Sequence, residues 1–359
     1  AVRLRKSSSE KKYYTLSDYF FDRYGKGTGF VSAFVVLTVI SLNFIAQLIG
    51  GSKVVSEISG FSYVISLILI SSVVVVYTVI GGFKAVVKTD IAQFLAIIII
   101  FGLLGILMVG NKGIPIENIN PETMPFASIV GFFVFGIILP FASAELWERV
   151  YAAKDVKTVK KSILFSILFY ILIGTFILMI GLVIRSSLQN IDPDLSMVQG
   201  FTALLPNGLI GIGLVAILAA IMSSADTYLF VDTSILLHDF YFRIKNVNKE
   251  QTVRLFRYTL VLVMLIGFLI ALLVKSLINI AFIFSGFAGV IAITGIASLL
   301  IKRVKGSTLV FGMVSGFVGT LIYILIFSAT ETLVLKSIIF TIIGFFIGCV
   351  FNKLKRSNK

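Results

Sequence analysis

The sequence predicts an all-α polytopic membrane protein of about ten transmembrane helices. Three observations carry that expectation. Hydrophobic residues make up 58% of the chain and charged residues only 13%, with a mean hydropathy of +1.05; soluble domains balance nearer 45–50% apolar with about 25% charged. Uncharged runs recur at lengths near the roughly 20 residues a helix needs to cross a ~30 Å hydrocarbon core. The runs are continuously apolar, without the two-residue alternation of a membrane β-barrel, so each span satisfies its own backbone as a helix.

Charge placement orients the chain. The net charge is +14, which by itself would suit nucleic acid, but its distribution follows the loops. With spans alternating from a cytoplasmic start, only Lys53, Lys112, Arg185, Lys275 and Lys336 of the 31 Lys and Arg residues fall outside. Short cytoplasmic loops hold the rest, which predicts a multi-pass protein of the cell (plasma) membrane with both termini cytoplasmic. The lipid bilayer is the expected partner, and no nucleic acid is. A single cysteine, Cys349, leaves no intrachain disulfide or cysteine metal cluster. The single histidine, His238, sits at a span end, where solvation is expected rather than ligation.

Taken in order, residues 1–28 are basic and polar, and TLSDYFFDRYG (Thr15–Gly25) reads as an interfacial helix. Gly27–Ser52 is the first span and carries Asn43 and Gln47 one turn apart on one face. Amides in lipid need partners, so these two either bond a neighbouring helix or line a solute pocket. Val64–Ile80 is the second span, ending in GGFKAVVKTDIAQ (Gly81–Gln93), where the glycines break the helix and Lys84 and Lys88 hold the bend inside. Asp90 opens the third span, as an N-terminal cap or as part of an ion route. After the polar external loop Asn111–Pro125, the fourth span, Ala127–Ala144, is interrupted by Gly136 and Pro140; interrupted helices point to binding sites in transporters, and ordinary kinks arise the same way. ELWERVYAAKD (Glu145–Asp155) follows on the cytoplasmic side, then a span at Ile163–Ile184.

Gly208–Tyr241 is the span around which the others are organised. Asp226 and Asp232 stand inside its apolar run, AILAAIMSSADTYLFVDTS. A carboxylate at the centre of a membrane helix costs about 2.5–3.5 kcal/mol on insertion scales, which favours a functional site. Ala220, Ser223, Ser224 and Thr227 fall within about 100° on one face, with Asp226 about 60° beyond Ser223. Such a face either packs helices closely through its small residues or offers hard oxygen ligands to a small cation such as sodium. Tyr258–Val274, Leu277–Ile301, Thr308–Phe327 and Thr332–Phe351 complete the spans, the last two reading as scaffold.

Four motifs in this order, TLSDYFFDRYG, GGFKAVVKTDIAQ, ELWERVYAAKD and AAIMSSADTYLF…HDFY, resemble the sodium:solute symporter family. The resemblance implies an inverted-repeat (five-plus-five) symporter bundle with sites near the midplane. It implies sodium as the coupling ion, with no organic cofactor, and a metal site for Na+ at Ala220, Ser223 and Ser224. A second cation route would use Asp90, Asp226 and Thr227, with the two carboxylates approaching each other. A solute pocket would draw on Ser143, Glu145 and Phe282 beside Asn43 and Gln47. Family members carry a further peripheral helix and the first two core helices ahead of TLSDYFFDRYG. This sequence shows none, so the expectation is a bundle missing the first core helices, whose absent N-terminal helices are needed for a complete site. The implied division is residues 1–28 as a cytoplasmic segment, 29–303 as core helices three to ten, and 304–359 as two peripheral helices with a basic tail.

The expected function is sodium-coupled secondary active transport of a small organic solute, an amino acid or small carboxylate. The resemblance also disfavours a sugar: where sugar-transporting members have polar residues, this chain offers Ser143 with Glu145 nearby and Phe282 in place of an amide, and a sugar needs many hydrogen bonds. The alternative is a non-transporting, transporter-like sensor or binding subunit. An enzyme is not expected: the chain has no HExxH and no Gly-x-Ser-x-Gly turn.

Overall fold

The computed structural model describes residues 1–113, 124–245, 248–301 and 303–357. Two short helices, α1 (Val2–Lys11) and α2 (Leu16–Tyr24), lead into α3 (Lys26–Ser59) and the long, kinked α4 (Tyr63–Lys112). Next come α5 (Phe126–Ala142), α6 (Ala144–Ala152), α7 (Val156–Ser187), α8 (Ser196–Leu204) and α9 (Asn207–Ile235). The chain ends in α10 (Lys249–Leu273), α11 (Leu277–Leu300), α12 (Gly306–Phe327) and α13 (Leu333–Ser357). Among the described residues, nine helical stretches are long and apolar enough to cross a membrane, and α5 with α6 makes a tenth if that pair, bent by 42°, is one span. The all-α polytopic expectation therefore holds.

Local chemistry sets the breaks. Gly82 has φ 61° and ψ −172°, a conformation essentially reserved for glycine. It divides α4 into the stretches Tyr63–Gly82 and Val86–Gly110. The break expected at Gly136 and Pro140 falls elsewhere. Both residues stay inside α5, and the chain leaves helical geometry at Ser143 (φ −78°, ψ 97°). Pro140 has no N–H for the Gly136 carbonyl, which weakens the turn that the chain then abandons. ELWERVYAAKD, expected only as a cytoplasmic segment, supplies the helix α6. α1 was not legible either: its ten residues, VRLRKSSSEK, carry no apolar face to mark a helix. Of the loop 111–125, expected to be external, residues 114–123 lie outside the described residues.

The core is organised on α3 and α11. α3 spans about 51 Å at 1.5 Å per residue and packs against α2, α4, α9, α10, α11 and α12. α11 is the most enclosed span, with 72% of its apolar window buried against 17% for α7. Such enclosure needs small residues: Gly286, Ala288, Gly289, Ala292 and Gly295 keep α11 thin. α12 and α13 pack together and onto α11, and a Cβ added at Gly344 would run into the Phe311 carbonyl.

Candidate cation and solute site

α9 packs against both α3 and α4, so its polar residues meet two different helices. On the α4 side, Tyr77 donates to Asp226 Oδ2 at 2.9 Å and reaches the Met222 carbonyl at 3.3 Å. Thr227 Oγ1 stands 3.4 Å from Asp90 Oδ2. The Arg149 guanidinium of α6 lies 3.9 Å from the same Asp90 oxygen. Asp90 is not a cap, because the helix has already restarted at Val86; its carboxylate reaches across to α9 instead.

Among the described residues, three carboxylate or amide oxygens near this contact stand open. Asp90 Oδ1, Asp226 Oδ1 and Gln93 Oε1 are buried without a hydrogen-bond partner. Buried carboxylate oxygens are costly unless a cation or donor meets them. All three are hard donors of the kind a small hard cation takes, so their chemistry fits sodium. A groove of about 450 Å³, lined by Tyr77, Ile80, Thr89, Gln93 and Met222 among others, runs beside them. Tyr77 and Arg149 were missed at the sequence level. Tyr77 gave little signal, because its span also carries the hydroxyls of Ser66, Ser71, Ser72 and Thr78.

The other expected ligands are placed as follows. Ala220, Ser223 and Ser224 are half-buried on one stretch of α9. Ser223 Oγ donates to the Ala220 carbonyl at 3.2 Å, so two of the expected sodium oxygens are neighbours, both from the same helix. Ser143 donates to the Leu139 carbonyl at 3.0 Å, at the bend between α5 and α6. Glu145 Oε2, just past that bend, is buried and unpartnered. Phe282 of α11 lies beside Phe132 of α5, with ring centroids 6.5 Å apart and the rings tilted at 52°. Asn43 and Gln47 are half-buried on α3. None of these five solute-pocket candidates lines the Tyr77 groove.

A second polar cluster lies where α9 ends. The helix continues as one π-turn, Leu236–Tyr241, in which Phe242 N–H bonds the Leu237 carbonyl at 2.7 Å. His238, expected to be solvated, is half-buried with Nδ1 3.0 Å from Asp239 Oδ1. That same oxygen accepts from Thr15 Oγ1 at 2.7 Å. Arg243 bonds Asp18 and lies 3.9 Å from Asp239. These contacts tie α2, from the first motif, to the tail of α9, from the last. Arg243 already supplies the positive charge between the two carboxylates.

At the opposite end of α3, Asp194 accepts from Lys53 Nζ at 2.6 Å and from the N–H groups of Leu277 and Ile278 at 2.9 and 3.0 Å. Burial alone would push its carboxyl up. The Lys53 ammonium and the two N–H groups outweigh that and hold it below the usual carboxylate range. One side chain thus joins α3, the 3₁₀ turn Pro193–Leu195 and the start of α11.

The comparisons agree with this architecture. The sequence model of the sodium:solute symporter family matches residues 2–119 and 117–316. The sodium/pantothenate symporter of Haemophilus influenzae is 29% identical over 309 residues, covering 76% of this chain and 59% of that protein. The osmoregulated proline transporter OpuE of Bacillus subtilis is 26% identical over 338 residues, covering 86% of this chain and 68% of its own length. This chain thus spans about three fifths to two thirds of those relatives. Among solved structures, a Na+-coupled sialic acid symporter in a substrate-bound outward-open state superposes with a TM-score of 0.74 at 18% identity, covering 96% of this chain and 78% of that one. The inward-facing conformation of Mhp1 matches with a TM-score of 0.53 at 13% identity. The fold is therefore that of the coupled-symporter bundle, and the chain belongs to the sodium:solute symporter family.

Proposed function

We propose that this chain is the body of a sodium-coupled symporter for a small organic solute, an amino acid or small carboxylate. The observation that carries the reading is the contact of Asp90 on α4 with Thr227 on α9, the residue next to Asp226, with each carboxylate keeping one buried oxygen free. Two carboxylates in one buried region favour a cation near them. Ser223 and the Ala220 carbonyl, on the preceding turns of α9, would hold sodium at the neighbouring position. The names of the relatives, a pantothenate symporter and a proline transporter, support a carboxylate or amino-acid solute.

In this reading Arg149 pairs with Asp90 when the cation is away and yields to it on binding, so the charge on α6 reports the cation to the bend at Ser143. Glu145 stands at that bend as a solute-pocket residue, with Asn43, Gln47, Ser143 and Phe282 as the remaining candidates. Downhill entry of one sodium supplies about 2.3 kcal/mol per 100 mV and about 1.4 more per tenfold gradient, enough for several-hundred-fold accumulation. Residues 29–303 would form the transporting core and 304–359 its periphery, in the plasma membrane with both termini cytoplasmic. The test is uptake of labelled proline and pantothenate into proteoliposomes with and without a sodium gradient. Sodium-driven accumulation of either supports the reading. Sodium binding without any solute flux would instead make the protein a sensor.

A further inference from the structure

Asp232 plays no part in the site above. It is fully buried, at 0% exposure, and neither of its carboxylate oxygens meets a donor in full hydrogen-bond geometry, Ser41 being the one that approaches. It sits about 9 Å along α9 from Asp226 and is turned about 120° away from it. Asp226 meets α4, whereas the polar neighbour of Asp232 is Ser41 of α3.

Among the described residues, no ion pair reaches it. α3 carries no ionisable side chain between Lys26 and Lys53. On α4, Tyr77 is bonded to Asp226, and Asp90 faces Thr227 and Arg149. On α6, Glu145 and Glu148 are acidic and Arg149 lies with Asp90. His238 and Arg243, beyond the π-turn, engage Asp239 and Asp18. Arg254 and Arg257 of α10 are exposed. On α9 itself, Tyr228 is the other ionisable group nearby, and it would add no positive charge.

A metal cation does not fit. A hard cation strips its water only for several oxygens at once. Thr233 and Ser234 turn their hydroxyls onto their own helix, to the Leu229 and Phe230 carbonyls at 2.8 and 2.9 Å. Ser41 is the side-chain oxygen that the described residues bring to it. An ionised carboxylate here would bear an unshared desolvation cost. A proton needs one oxygen and removes that cost.

We infer that Asp232 is a proton-binding site in the membrane interior, separate from the Asp90/Asp226 pair, in which the carboxyl group is held as the neutral acid between α3 and α9. Release requires those two helices to part and admit water, which links proton occupancy to their relative motion. The inference stands apart from the symport reading, because its readout is a vibrational band that does not depend on whether sodium binds.

The experiment is infrared spectroscopy of the purified full chain at pH 8, with carboxyl-labelled aspartate, in H2O and D2O. The wild type is expected to show a protonated aspartate carbonyl band that shifts in D2O, and Asp232→Asn to lose it while keeping the helical amide signature. The Asp90→Asn/Asp226→Asn double variant, which leaves Asp232 untouched, is expected to retain the band and covers a failure of Asp232→Asn to fold. A wild-type spectrum holding only ionised aspartate, or a band that survives Asp232→Asn and vanishes in the double variant, would overturn the assignment.

Discussion

Thr227 Oγ1 on α9 and Asp90 Oδ2 on α4 stand 3.4 Å apart, although 137 residues separate them in sequence. The contact is long for a hydroxyl bond to a carboxylate, and it lies beside two buried oxygens with no partner, Asp90 Oδ1 and Asp226 Oδ1. A cation coordinated by both helices would tighten it. Thr227→Ala is therefore expected to weaken the sodium dependence of uptake by about tenfold, the equivalent of one lost ligand bond of about 1.4 kcal/mol. Half-saturating sodium unchanged in Thr227→Ala would remove this residue from the site.

Tyr77 offers a second probe of the same place. Its hydroxyl donates to Asp226 and touches the Met222 carbonyl. Tyr77→Phe keeps the ring and the packing but leaves Asp226 Oδ2 without its donor, a change worth about 1.5–3 kcal/mol when the partner is charged. The expected outcome is a shift in sodium affinity with near-normal expression, read by sodium titration of uptake. Sodium affinity equal to wild type would mean that Tyr77 only packs.

The Asp194 clamp predicts a pH dependence. Its carboxyl is held below the usual range, so its stabilisation is complete at neutral pH. That stabilisation is lost as pH falls through the usual carboxylate range near ~4 and below. Asp194→Asn should cost about 1–3 kcal/mol at pH 7, because it removes the charged acceptor of three hydrogen bonds and leaves Lys53 only its longer 3.8 Å pairing with Asp192. It should also flatten the acid limb of the thermal-stability profile. Equal acid sensitivity in wild type and variant would place the acid-labile group elsewhere.

Packing of the last two helices is tested at Gly344. A side chain there meets the Phe311 carbonyl, with Gly312 Cα at 2.8 Å from the added Cβ. Gly344→Leu is expected to destabilise by about 1–3 kcal/mol through overpacking. Its effect should appear in thermal unfolding and leave sodium affinity intact. A shift in sodium affinity would tie α12 and α13 to the site rather than to the scaffold.

The spans were legible in the sequence because lipid demands long uncharged runs, and the kink at Gly82 was legible because glycine alone adopts that backbone. Asp226 was legible as a charge where lipid forbids one. That Asp90 would come near this stretch of α9 was an expectation from the family resemblance, since no local rule connects residues so far apart; the contact the structure describes is Thr227 with Asp90. Tyr77, Arg149 and the Thr15–Asp239 contact were not legible. Each depends on how helices rotate about their axes and on which turns face each other, and the sequence period constrains those angles only loosely. The break after Pro140 was anticipated but displaced to Ser143, because a proline weakens a turn without deciding where the chain leaves it.

The central claim is that sodium binds between α4 and α9. Equilibrium binding of radioactive sodium to the purified protein, in wild type, Asp226→Asn and Ser223→Ala, tests it most directly. Saturable binding in the wild type, weakened by about tenfold or more in both variants, is the predicted result. Saturable binding of equal affinity in all three proteins would contradict the account and place the ion elsewhere.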